Sequence, residues 1–428
     1  MKKLFIAMLA LTIAASAAMA TDTRIATIGS ASTFLTDFTD IYFIPSNLVA
    51  YPRMINAELG TYPATYPYYG SASVTWTNNE EQTWGVMGVD INHDFAGRQQ
   101  FGTDITAINT WIGGPDALPH PDNKWHLFYA KKMGTMDLGL HLARAAGAAT
   151  ADYADSLGST KGEATSGIWN INGSVTMKPM ENVTADIAAA FQMLSFSGER
   201  SWNQTLPAAA SGSTTIESDG GSAIMFGARA FYGMSDQLKL VPVIGFGTYS
   251  LGYKTAYAGL DTVGNTPEGG KKSATNISGA FGLNYEPVEN VKLIGGLHFG
   301  MYSSTVEDTV GVFGAGLKEE KVSTLVFPGF SAAVEAQLVK WLGFRVGASK
   351  MLTKTSTEDT YHTVPTGNVT DESSYTSAPF VLGLGLGLTF GNLKIDAKLQ
   401  DNQPFDLGYL MSGNPQPVFT QVSASYKF

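Results

Sequence analysis

FVLGLGLGLTF, Phe380 to Phe390, alternates without a break. Phe380, Leu382, Leu384, Leu386, Leu388 and Phe390 are large and apolar, and between them stand Val381, Gly383, Gly385, Gly387 and Thr389. A period of two puts these sets on opposite faces of a β-strand. After Gly391, the stretch NLKIDAKLQ sets Leu393, Ile395, Ala397 and Leu399 against Lys394, Asp396, Lys398 and Gln400. The two runs read as a hairpin that is greasy on one face and small or charged on the other. In a soluble sandwich the greasy face meets a second sheet. In a membrane barrel it meets lipid, and the polar face lines the lumen.

Working outward, the same alternation recurs in pairs of runs joined by short turns: 125–131 with 136–142, 167–177 with 183–194, 222–232 with 238–251, and 276–285 with 291–302. Runs 322–337 and 341–351 precede the opening hairpin, and a last one covers 418–428. Between the pairs lie stretches rich in Ser, Thr, Gly and Asp, namely 145–165, 196–221, 253–275, 303–321, 353–377 and 401–417, which are expected to be long loops. Short turns on one side and long loops on the other is the asymmetry of outer-membrane barrels. With short runs at 71–78 and 83–91 and an earlier one at 53–60, the count is about sixteen strands. It is about fourteen if the first two candidates belong to a plug inside the barrel, and both numbers are even, as such barrels require.

Charge supports the assignment of faces. Met136, Leu138, Leu140 and Leu142 oppose Asp137 and His141; Ile224, Phe226, Ala228 and Tyr232 oppose Arg229; Leu342, Phe344 and Val346 oppose Arg345 and Ser349. A basic side chain facing the middle of a bilayer costs roughly 2–4 kcal/mol, so the charged set is read as lumenal.

The first twenty residues carry Lys2 and Lys3, an apolar run from Leu4 to about Ala15, and Ala18 and Ala20 around Met19. That is the pattern of a secretory signal peptide, here 1–20. Residues 21–52 do not alternate and are too apolar for a disordered tail. They are expected to fold inside the barrel as a plug, leaving 53–428 as the barrel itself. His93 to Lys124 is polar, contains Pro115, Pro119 and Pro121, and reads as a loop. An exported chain without cysteine, 44% hydrophobic and only 15% charged, suits a membrane barrel better than a soluble secreted domain. A net charge of -10 argues against nucleic-acid binding, which needs clustered Lys and Arg.

Gly383, Gly385 and Gly387 are spaced G-x-G-x-G, which is not the phosphate-loop fingerprint, and no helix follows. A row of glycines facing the lumen instead leaves room for something packed inside. The six His are scattered without metal spacing, and no H-E-x-x-H or G-x-S-x-G occurs, so neither an enzyme nor a cofactor is expected. Glu358, Asp359, Asp371 and Glu372 share one expected loop and read as solvated charge, with a divalent cation as the alternative. Pro242 and Pro328 stand inside strand patterns and lack the N–H of the ladder. Pro242 fits a bulge near a strand end, and Pro328 is the candidate for a lateral opening in the wall. The inner face also carries apolar side chains. Met225, Arg229, Phe231, Leu325, Phe327 and Arg345 are therefore the candidate ligand-binding residues of a partly greasy lumen.

Two resemblances to known systems add to this reading. Val418, Thr420, Val422, Ala424, Tyr426 and Phe428 share a face and end on an aromatic, which resembles the signal read by the outer-membrane insertion machinery. Arg24, Ile28–Gly29, Asp37 with Asp40, and Ile44–Pro45–Ser46–Asn47 resemble the N-terminal pattern of the long-chain fatty acid transporters (FadL-like), a superfamily that includes PorV-type barrels. The chain departs from that pattern in having Ile44 where the family has Asn before the proline. The resemblance implies a plugged outer-membrane barrel that passes hydrophobic molecules by diffusion without a cofactor. Its surroundings would be the lipid bilayer and lipopolysaccharide. A docking barrel for a secretion or surface partner and a general porin are the alternatives.

Overall fold

A computed structural model describes residues 21–60, 69–77, 84–96, 98–112, 118–155, 158–204, 210–258, 268–308, 317–363, 367–399 and 419–428. The expected signal peptide, the Tyr- and Pro-rich stretch 61–68, the acidic turn at Asn79–Gln82 and the expected loop 401–417 lie outside them.

The wall is antiparallel throughout. Its strands are β1 (Met54–Gly60), β2 (Tyr69–Thr77), β3 (Val86–Ile91), β4 (Asn123–Met133), β5 (Met136–Asp155), β6 (Gly158–Met180), β7 (Val183–Gln204), β8 (Ala210–Gly233) and β9 (Leu238–Ala258). They continue as β10 (Glu268–Val288), β11 (Val291–Asp308), β12 (Leu317–Val339), β13 (Leu342–Thr363), β14 (Gly367–Ser377), β15 (Phe380–Phe390), β16 (Leu393–Leu399) and β17 (Phe419–Lys427). Each pairs with its neighbour, and β1 pairs with both β2 and β17, so the ring closes. Closure leaves no edge unpaired in lipid. β14 and β15 both pair with β13 in one continuous register, Thr353 opposite Ser377 and Lys350 opposite Phe380. They are two halves of one wall position, and the ring has sixteen.

The face assignment from the sequence holds except on the upper part of β12, beyond Pro328. Leu140, Ile171, Phe191, Ile224, Phe246, Ile277 and Met301 are exposed on the outside, while Asp186, Arg229, Arg345 and Asp396 are buried within. Among the described residues no helix is long and apolar enough to cross a membrane. The crossing elements are strands, with tight turns at one end, such as Gly134 and Gly391, both at positive φ.

The stretches expected to be long loops are mostly strand. β5 to β13 run on well past the apolar belt, so 145–155, 210–221, 268–275, 303–308 and 353–363 belong to ladders. Above the bilayer both faces of a sheet can be polar, which removes the alternation by which strands are read. The acidic residues thereby lie opposite each other, Glu358 by Glu372 and Asp359 by Asp371, in paired strands and not in a loop.

Inside the ring, residues 21–51 fold as a helix α1 (Asp22–Ile28) and three short 3-10 helices, Gly29–Phe34, Phe38–Tyr42 and Pro45–Ala50. Thr21 caps α1, accepting from the Arg24 amide at 3.3 Å, and Asp37 with Asp40 forms a reciprocal capping box. The plug fits because the wall facing it is glycine. A Cβ on Gly383 would lie 2.3 Å from the Thr27 carbonyl oxygen, on Gly347 2.5 Å from the Ile28 backbone, and on Gly139 2.0 Å from the Ser46 nitrogen. The glycine row of the opening hairpin is thus the seat of the plug.

A second element closes the end away from the tight turns. The segment between β3 and β4, expected as a loop, contains helix α2 (Arg98–Ile112). Phe101, Ile105 and Ile108 pack with Leu118 against Ile168, Leu194, Phe196, Leu251 and Tyr253 on the inner wall.

Gly139→Ala should drive a methyl group into the Ser46 backbone and destabilise the barrel by about 1–3 kcal/mol. Gly173→Ala, where the nearest atom would be an ordinary 3.7 Å away, should be neutral. Guanidinium unfolding of the detergent-solubilised protein reads both.

Candidate functional site

Charged side chains on the inner wall hold the plug. Arg24 lies in α1, and its Nε donates to Glu335 Oε1 at 2.6 Å while Nη2 donates to Oε2 at 2.5 Å. Its third arm, Nη1, reaches Asp37 Oδ2 at 3.0 Å. Arg345 continues the chain of alternating charge, 3.1 Å from Glu335 and 2.6 Å from Asp396, and Asp396 accepts from Thr21 at 3.1 Å. All these groups are buried or nearly so. A second anchor is Arg229, which donates to Asp186 on β7 at 3.0 Å, to Asp40 at 2.7 Å and to the Leu35 carbonyl at 2.6 Å. Fork geometry suits Arg to such bridges, because one guanidinium satisfies several acceptors at once.

Apolar contacts complete the seat. The Phe34 ring lies over Gly282 and Gly296, and its carbonyl accepts from Asn284 at 2.9 Å. The Phe43 ring occupies the space that a Cβ on Gly227 would need.

The plug and the α2 segment meet at a column of rings. Tyr42 stacks on His93 at 3.6 Å, and His93 Nε2 bonds Asp22 Oδ2 at 2.6 Å. Burial disfavours the charged His93 ring, but Asp22 and Asp90 outweigh it and raise its pKa above the ordinary histidine value. Beneath, His126 and His141 bond each other at 2.9 Å and reach the carbonyls of His93 and Tyr42 at 3.0 and 3.1 Å. Helix α2 is tied to the opposite wall through Asp104, which accepts from the Tyr249 hydroxyl at 2.6 Å and from Lys272 at 2.5 Å. The lumen is therefore crossed by two packed layers.

Along β8 to β12 a space remains between the layers. Asn276 and Ser278 point inward by register yet are exposed. One inner row runs Met225, Gly247, Asn276, Tyr302, and the next runs Gly227, Gly245, Ser278, Gly300, Val326. An added Cβ on Gly300 or Gly247 would meet nothing closer than 3.7 Å. The second row ends beside Pro328, where the ladder breaks on both sides of β12. Gly300 pairs with Val326 and His298 with Gly329, while on β13 Thr353 pairs with Val326 and Met351 with Gly329. The wall is interrupted again at the same height between β14 and β15, at Ala378–Pro379. Met351 Sδ lies against the inner side of Gly329. Pro242, by contrast, sits opposite Phe281 in an unshifted ladder, not at a bulge.

The candidate ligand residues divide accordingly. Met225 lines the remaining space. Arg229 and Arg345 face inward but are committed to the plug, and Phe231 lies beneath the Arg229 guanidinium at 4.9 Å. Leu325 and Phe327 need correction: they are 49% and 63% exposed on the outer face, with the Phe327 ring 5.7 Å from outward Phe299. The extra residue at Pro328 reverses the alternation, so side chains beyond it change sides. Sequence reading missed Phe34, Phe43 and α2. The signal for α2 was present as Phe101, Ile105 and Ile108 at i, i+4, i+7.

Arg24→Ala should leave Glu335 buried with half its partners. A loss of about 3–5 kcal/mol follows from removing one member of a buried ion pair. Loosening of the plug should also appear as flickering conductance in planar bilayers, where the wild type is quiet.

No family model matches the chain. No curated protein matches it. Among solved structures it is similar to the crystal structure of a Pseudomonas aeruginosa FadL homologue, at 11% identity over 94% of this chain and 98% of that one with a TM-score of 0.38. It is similar to the Pseudomonas putida toluene transporter TodX, at 10% identity over 94% and 96% with a TM-score of 0.38. A third such structure is the CymD monoaromatic hydrocarbon channel, at 10% identity over 94% of each chain with a TM-score of 0.32.

Proposed function

We propose that the protein is a passive passage for small apolar molecules across a bacterial outer membrane, and that it releases them sideways through the wall. One observation carries this: the inner row of small residues, Gly245, Ser278 and Gly300, leads to the broken ladder at Pro328. Pro328 lies one row below outward Leu325 and Met301, near the upper edge of the apolar belt, so a solute leaving there enters acyl chains and not water. Met351, a flexible thioether against Gly329, is suited to yield to a passing solute. Diffusion down a gradient needs no cofactor and no catalytic group.

The docking alternative draws support from the doubly filled lumen, since a barrel that only binds a partner needs no path. A general porin is disfavoured by the same filling.

Uptake of radiolabelled naphthalene separates the readings. Cells making the wild type should exceed cells without it, and Gly300→Trp, which fills the row, should return uptake to background. Gly279→Trp, on the outer face of the same region, should leave uptake unchanged. Equal uptake by Gly300→Trp and wild type would remove the proposed route, and a steady ohmic conductance would point to a porin.

A further inference from the structure

On the lipid-facing side, Trp125, Arg144 and Trp169 are register partners on three adjacent strands. The Arg144 guanidinium lies 4.9 Å over the Trp169 ring, and Trp169 meets Trp125 edge-on at 5.7 Å. Among the described residues no carboxylate lies within ion-pair reach of Arg144, and its side chain is exposed.

Its height follows from its neighbours. Toward the turns the outer face carries Leu140, Ile171 and Phe191, and Met193 lies level with Trp169. Away from them it carries Ala146, Ala148, Thr165 and Ser195. The belt of large apolar side chains therefore ends at Arg144, roughly 20 Å above the turn-side start of β5, given the rise per residue and usual tilt of barrel strands. That is the depth of headgroups, where indole rings concentrate.

Directly above the two tryptophans a cleft of about 400 Å³ opens on the outside of the wall, lined by Asn123, Arg144, Ala146, Ala148, Gly167 and Trp169. The small side chains make the hollow and Arg144 places a positive charge at its floor. Lys124 borders the adjoining space.

We infer that this cleft binds the phosphate of a lipid headgroup in the outward-facing leaflet, with Arg144 as its donor fork and Trp169 holding the fork in place. Cation–π stacking fixes the plane of the guanidinium without consuming its N–H groups, which remain for two phosphate oxygens. Asn123 adds a polar side chain at the rim, and the acyl chains below lie along the Leu140 and Ile171 face. This inference rests on the wall's spanning a membrane and is independent of what crosses the lumen.

The test is native mass spectrometry of the whole protein in detergent, titrated with diphosphoryl lipid A. The wild type should hold one lipid saturably. Arg144→Gln should weaken that binding by about tenfold to a hundredfold, the range for a lost charged hydrogen bond, and Arg144→Lys should fall between. Lys350→Gln, which removes an outward cation elsewhere on the rim, should not change it. Millimolar inorganic phosphate should not compete, because the ion alone lacks the chains. Wild-type retention by Arg144→Gln would overturn the site, as would equal losses in Lys350→Gln. Displacement by inorganic phosphate would reduce it to an anion site. Heat-modified gel mobility confirms that each variant is folded.

Discussion

A ring of strands with a greasy outside must do something with the charges it turns inward, and here the Arg24 fork resolves that problem. Glu335, Arg345 and Asp396 stand side by side on the inner faces of β12, β13 and β16, and a dry interior tolerates such charges only when each has a partner. Arg24 enters from the plug and joins Glu335 to Asp37. The plug therefore belongs to the barrel's own electrostatics. Arg229, between Asp40 and Asp186, does the same on the far side.

Shape follows charge. The inner wall is glycine where the plug backbone passes, at Gly139, Gly347 and Gly383, and where its rings sit, at Gly227, Gly282 and Gly296. Where glycine continues without a plug residue against it, at Gly247 and Gly300, it borders space. One residue type thus marks both the seat and the passage, and only the packing distinguishes them.

Much of this was legible in the chain. Alternation in Phe380–Leu399 and charge on one face give the barrel, its orientation of faces and the reason for Gly383 and Gly385. What escaped had physical causes. Parity counted straight through Pro328 puts Leu325 and Phe327 inward, and the one extra residue there reverses it. The tall rim was read as loop because Ser- and Thr-rich strands above the bilayer have no apolar face to alternate. Helix α2 was hidden by three prolines and a polar composition, although its buried face of Phe101, Ile105 and Ile108 has helical spacing. Arg24 was noticed as part of a pattern, but its partner Glu335 lies far along the chain, beyond what spacing can reveal.

The central claim is that an apolar solute occupies the inner space between the two layers. Photolabelling of the protein in proteoliposomes with a small diazirine hydrocarbon, followed by mass-spectrometric mapping, tests it most directly. The account predicts saturable labels on inward Met225, Asn276 and Tyr302 that excess unlabelled hydrocarbon suppresses. Labels confined to outward Phe246, Ile277 and Met301, rising in proportion to probe in the bilayer, would contradict it.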